Sequence, residues 1–169
     1  HGAWRDTLLR KDLWVVMLAR FLSDPVWVFY VAWLPKYLRD VRGFDLKQIA
    51  MFAWMPFLAG DIGSIVGGAL SSFLARRGFQ TINARKLAMC ICAAMMPVAA
   101  LAVRAQSPYA AIFFVSVATF AHQAWAASIL TLPADLFPRH AVASAYGFTG
   151  ACGNFGGCLF MPCVGLTVS

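Results

Sequence analysis

Four groups of ionisable or hydrogen-bonding side chains stand inside long apolar stretches of this chain, where such groups are costly. Arg20 and Asp24 are four residues apart, the spacing at which two opposite charges meet on one face of a helix. They can neutralise each other against a neighbouring helix, or they can line a polar path or form a conformational latch. Asp61 falls near the middle of a second stretch, in a stripe of Trp54, Phe57, Asp61, Ser64, Gly68 and Ser72 at helical spacing. A carboxyl whose desolvation is uncompensated is harder to ionise, which suits a proton carrier. The same carboxyl could instead accept hydrogen bonds from a neighbouring helix and never titrate. His122 and Gln123 occur in Phe120-Ala-His-Gln-Ala-Trp125, sharing a broad face with Ser116, Thr119 and Ala126. A lone His is more often a packing residue, yet here an amide, two hydroxyls and an indole converge on it, which suits a cavity wall. Asn154 is flanked by glycines in Gly150-Ala-Cys-Gly-Asn-Phe-Gly-Gly157, and its amide needs a polar partner that lipid cannot supply.

The elements that must position these groups are five apolar runs, at 13–38, 49–75, 87–103, 109–132 and 141–168. A hydrocarbon core of about 30 Å takes about 20 helical residues to cross, and within it only a helix satisfies the backbone of a single segment. The fold class expected is all-α, a polytopic membrane helix bundle of five transmembrane helices. Composition agrees: 61% of residues are hydrophobic, 12% are charged and glutamate is absent, whereas ordinary soluble domains are about 25% charged. Ionisable groups at membrane depth cost about 2.5–3.5 kcal/mol each on insertion scales, so they turn toward protein or water. Pro25, Pro35, Pro56, Pro97, Pro133 and Pro162 lie in or at the ends of the runs and predict kinks. Gly153 and Gly157 make a small-residue step that lets helices approach closely.

The net charge of +7 comes from Lys and Arg in the turns and fits membrane orientation, because cationic residues gather on the cytoplasmic side of short loops. No aromatic-interleaved basic stripe or phosphate loop points to nucleic acid. Arg5, Arg10, Lys11, Arg76, Arg77, Arg85, Lys86 and Arg139 fall on one side, and Lys36, Arg39, Arg42, Lys47 and Arg104 on the other. This distribution puts the amino end in the cytoplasm. The basic turn 76–86 is expected to be the longest cytoplasmic one, and 106–108 a tight external hairpin. The five cysteines, Cys90, Cys92, Cys152, Cys158 and Cys163, all lie inside spans and read as reduced apolar fillers. Cys90 and Cys92 point about 200° apart on a helix and cannot share a metal; no metal or cofactor is expected. Ser116 and Ser128 each lie six residues from His122, about 240° around a helix, so neither forms a nucleophile–base pair with it. An intramembrane hydrolase is disfavoured and no enzymatic activity is expected. The sequence has no initiator Met and stops within its last apolar run, so it reads as part of a longer protein.

Four segments carry a family resemblance. They are Ala19-Arg-Phe-Leu-Ser-Asp-Pro-Val-Trp27 with its continuation to Leu38; Ala59-Gly-Asp-Ile-Gly-Ser64 through Ala75-Arg-Arg-Gly78; His122-Gln-Ala-Trp125 followed by Leu132-Pro-Ala-Asp-Leu-Phe-Pro138; and the glycine-rich run around Asn154. Together they resemble helices seven to eleven of a major facilitator superfamily transporter. Within that superfamily they are similar to the anion:cation symporter family and its hexuronate transporters. The resemblance covers the whole chain, which would then be a partial carboxy-terminal domain, 1–169, lacking six preceding helices and the twelfth. It departs from the family at Ser72, where relatives often carry an Asp of a cytoplasmic gating network.

The resemblance implies uptake of an organic anion, a sugar acid such as a hexuronate, coupled to a proton or sodium, by alternating access at an inner (plasma) membrane. Tyr30, Trp33, His122, Gln123, Trp125, Ser128 and Asn154 would then contact substrate, and Arg20, Asp24 and Asp61 would serve ion coupling or gating. Its partners would be the organic anion, the coupling ion, lipid and the missing amino-terminal half. Another organic anion, such as an aromatic acid or small dicarboxylate, stays open as the substrate, as does a non-transporting sensor or subunit.

Overall fold

The computed structural model describes residues 7–168. Among these the regular structure is helical throughout: α1 (Lys11–Asp40), α2 (Leu46–Phe52), α3 (Met55–Arg76), α4 (Thr81–Met95), a single 3-10 turn (Met96–Val98), α5 (Ala99–Arg104), α6 (Pro108–Leu136) and α7 (Arg139–Val168). Among the described residues, four segments are both long and apolar enough to cross a bilayer: Lys11–Asp40, Leu46–Arg76, Thr81–Arg104 and Pro108–Leu136. The fifth expected span lies in α7, which is 30 residues long. Leu18, Leu22, Ile65, Val103 and Phe155 are each more than half exposed on the helix surfaces. Such a surface would be an aggregation liability in water and is ordinary against lipid.

The prolines act unequally. α1 runs unbroken through Pro25 and Pro35, and α6 and α7 contain Pro133 and Pro162. Pro56 instead lies in the first turn of α3, where a missing N–H is harmless. The second expected span is therefore interrupted at Ala53–Trp54, leaving α2 as a separate short helix. Asp45 caps α2 by accepting from the Gln48 N–H at 2.7 Å, while the Asp45 N–H donates to Gln48 Oε1 at 3.0 Å, a reciprocal capping box. Pro97 marks the 3-10 turn between α4 and α5.

The basic turn is much shorter than expected. α3 ends at Arg76 and α4 starts at Thr81, so Arg85 and Lys86 belong to a helix. The tight reversal is closed by Gly78 at φ 97°: the Gly78 N–H donates to Ala75 O at 3.1 Å and the Phe79 N–H to Leu74 O at 3.4 Å, the paired bonds of a Schellman end.

The chain divides into two compact units: one contains residues up to Tyr30 together with those from Ile129 onward, the other spans Val31–Ser128. In the first, Leu13, Phe137, Ala141 and Ala145 form a buried cluster, and the guanidinium of Arg10 sits 4.8 Å from the Phe137 ring centre. In the second, α3 buries the face Pro56, Gly60, Gly63, Gly67 and Ser71. A Cβ on Gly63 would overlap the Phe120 carbonyl of α6, and one on Gly67 would overlap that of Ala124. Lipid tails are as apolar as leucine, so close backbone packing through small residues replaces the hydrophobic drive available in water.

Candidate functional site

In the first unit the charged pair forms. Asp24 Oδ2 accepts from Arg20 Nη2 at 2.8 Å and from Arg20 Nε at 3.1 Å, and Ser23 Oγ lies 3.4 Å from Asp24 Oδ1. The pair is largely sheltered, with side-chain exposures of 15% and 28%. α7 supplies the shelter: a Cβ on Gly153 would overlap the Asp24 carboxylate, and one on Gly150 would lie 3.6 Å from Arg20 Nη1. The glycine run noted from sequence thus receives the ion pair. Asn154, the next residue, is exposed, and its Nδ2 donates to Gly150 O of its own helix at 3.1 Å. The need for an amide partner in lipid is met there by the helix backbone. Tyr30 is half-buried, its ring 6.0 Å from that of Phe29.

In the second unit α6 carries His122 and Ser128, both buried, while Gln123 and Trp125 are half-buried. The His122 and Trp125 rings lie 6.5 Å apart at 32°. Trp33 of α1 is half-buried; its indole N–H is sealed from water and has no hydrogen-bond acceptor among the described residues, and Lys36 Nζ stands 4.9 Å over its ring. Asp61 is exposed rather than packed. The stripe Asp61, Ser64, Gly68 and Ser72 is not the packed face of α3, which belongs to its glycine neighbours. Ser64 Oγ donates to Asp61 O at 2.8 Å and Ser72 Oγ to Gly68 O at 2.9 Å, so both hydroxyls turn back on their own helix.

Two features escaped sequence reasoning. Thr119 Oγ1 donates to Pro56 O at 2.7 Å, joining α6 to the start of α3; nothing in a lone threonine announces this. Arg42, counted only as a turn cation, donates to the carbonyls of Ala102 and of Ala105, the latter at 2.8 Å, and to Tyr37 OH at 2.7 Å. It caps the end of α5, where unpaired carbonyls attract a cation. The signal available was an Arg just beyond a helix end next to a glycine.

Each unit also has an apolar groove. One of about 370 Å³ is lined by Phe52, Trp54, Leu58, Tyr109, Phe113 and Ser116 among others, and Ser116 Oγ is already committed to Ile112 O at 2.7 Å. The other, about 350 Å³, is lined by residues including Phe21, Pro25, Gly156 and Phe160. Neither lining includes a cation that could hold a carboxylate. No cluster of three metal-ligating side chains occurs among the described residues. Of the cysteines, Cys92 is buried, while Cys90, Cys158 and Cys163 are exposed, so core filling describes only the first of these.

Comparison with known proteins gives a consistent result. The model of a family described as Major Facilitator Superfamily matches residues 1–161. The chain is 39% identical to the Hexuronate transporter of Escherichia coli (strain K12) over 94% of its own length and 37% of that protein's. It is 40% identical to the Galacturonate transporter of Dickeya chrysanthemi, over 56% of this chain and 28% of the relative. It is 32% identical to the Probable L-galactonate transporter of Escherichia coli (strain K12), over 69% and 26%. The chain thus spans well under half the length of these relatives.

Proposed function

This chain belongs to the Major Facilitator Superfamily, and we propose that the complete protein is a secondary active transporter that takes up sugar acids, hexuronates first among them. The observation that carries the reading is the 39% identity to a hexuronate transporter across 94% of the chain. The site chemistry supports it. A sugar acid needs donors and acceptors for its hydroxyls, an aromatic face for its ring and a cation for its carboxylate. On α6, His122, Gln123 and Trp125 offer the first two within one helical turn, and Trp33 keeps an indole donor in reserve. Tyr30, Ser128 and Asn154 complete the assigned contacts.

The carboxylate-binding cation is assigned to an amino-terminal half, in keeping with a binding site at the interface of two repeats near the midplane. Uptake is driven by proton entry, with the amino end of this chain in the cytoplasm of a cell whose inner membrane the protein spans several times. Asp61, exposed on α3, is the candidate here for an ion-coupling or gating group that meets the other half. No covalent chemistry is assigned, since the relatives named above are transporters.

Uptake of labelled galacturonate by cells expressing the full-length protein tests this. Competition by unlabelled glucuronate but not by benzoate or tartrate is expected, and Gln123→Ala and Trp125→Ala should each raise KM. Equal competition by benzoate or tartrate would reassign the substrate to another organic anion. Residues 1–169 alone should accumulate nothing.

A further inference from the structure

We propose that Arg20 and Asp24 are positioning residues: their ion pair splints the turn of α1 that Pro25 weakens and seats that turn in the glycine groove of α7. The pair works through mutual neutralisation, not by carrying the coupled ion or touching substrate. This inference rests on the transporter reading above.

Three observations meet at one turn of helix. Pro25 has no N–H, so the carbonyl of Phe21 four residues earlier loses its helical donor. Arg20 and Asp24 bracket that same turn, and their two hydrogen bonds, 2.8 and 3.1 Å, tie it by side chains where the backbone tie is missing. The freed Phe21 carbonyl is directed at α7, where a Cβ on Gly156 would overlap it. Glycine there leaves the carbonyl the space that the Cβ of any larger residue would take. One turn earlier on α7, Gly153 leaves the space the Asp24 carboxylate fills, and Gly150 stands by Arg20. Glycine spacing on α7 thus matches two polar features of the α1 turn, the carboxylate and the carbonyl that Pro25 leaves without its helical donor.

A sheltered charge left without its partner is strongly unfavourable, whereas replacing both members by neutral groups is mild. A proline turn that is splinted and seated cannot serve as a free hinge, so α1 up to Pro25 moves together with α7 during transport. The geometry also fits a chemical division of labour: Asp24 spends Oδ2 on two arginine nitrogens and has Ser23 beside Oδ1.

The test uses the full-length protein reconstituted in proteoliposomes, comparing Arg20→Gln, Asp24→Asn and the double variant. Each single variant should lose about tenfold or more in maximal uptake rate, the scale of coupling between contacting residues, with KM nearly unchanged and a lowered melting temperature. The double variant should regain most of the rate and still accumulate substrate against its gradient. Gly153→Ala keeps both charges but displaces the carboxylate, and should resemble Asp24→Asn; Arg20→Lys should retain an intermediate rate. A double variant as impaired as Asp24→Asn would overturn the proposal. So would an Asp24→Asn protein that exchanges substrate normally but cannot accumulate it, because that would place ion coupling on Asp24. Single variants indistinguishable from wild type would overturn it as well. Should the wild-type protein not transport hexuronates, the transporter reading fails, and the melting temperatures of the same four proteins still decide whether the two charges are coupled.

Discussion

The two units each bring helices together on glycine, but with different contents in the groove. In the second unit α3 lays Gly63 and Gly67 against the backbone carbonyls of Phe120 and Ala124, and a threonine hydroxyl bonds the Pro56 carbonyl across the crossing at 2.7 Å. Backbone meets backbone, and nothing between them can yield. In the first unit Gly153 faces the Asp24 carboxylate and Gly150 faces Arg20, while among its described glycines only Gly156 meets backbone, the carbonyl of Phe21. The glycine pattern looks the same in both stretches of sequence, yet in one it welds two backbones and in the other it cradles an ion pair. What a small-residue stripe does depends on what the partner helix presents to it.

That contrast can be broken by substitution. The largest effect is expected at the backbone weld: Gly67→Leu should abolish accumulation of folded protein in the membrane, and Gly67→Ala should destabilise by about 1–3 kcal/mol, the usual overpacking range, seen as a lower melting temperature in detergent. Next comes Asp24→Asn, which strands Arg20 beside α7. The partial exposure of the pair keeps its cost below the full value for a deeply buried pair, at about 1–3 kcal/mol. Arg42→Ala ranks third: it uncaps the carbonyls of Ala102 and Ala105, and water at the helix end replaces part of the loss, leaving about 1–2 kcal/mol. Smallest is Gly150→Ala, whose new methyl would sit at ordinary contact distance, 3.6 Å, from Arg20 Nη1; a change within about 0.5 kcal/mol is expected. If Gly150→Ala and Gly67→Ala were equally harmful, the distinction between weld and cradle would be lost.

Much of the architecture was legible because lipid imposes it. Runs of some twenty apolar residues must be helices, and the i,i+4 spacing of Arg20 and Asp24 announced their pairing. The face of α3 was not legible in the same way. Asp61, Ser64, Gly68 and Ser72 and the packed set Gly60, Gly63, Gly67 and Ser71 are both stripes of small residues on one helix, and periodicity cannot tell which of them a neighbour occupies. The basic segment 76–86 misled for a different reason: charge suggested a long turn, but Gly78 at φ 97° lets the chain reverse in four residues and return Arg85 and Lys86 to a helix. Arg42 was hidden because its acceptors, the carbonyls of Ala102 and Ala105, are distant in sequence. Of the assigned substrate contacts, His122 and Trp125 do approach each other on α6. Asn154 turned out to satisfy its own helix, a choice open to any asparagine with a carbonyl one turn behind it.

The most direct test of the account is uptake of radiolabelled galacturonate into proteoliposomes holding the full-length protein, with an inward proton gradient imposed. Accumulation above the external concentration, abolished by collapsing the gradient, is the predicted result. Uptake no greater than in protein-free vesicles, with or without the gradient, would contradict it.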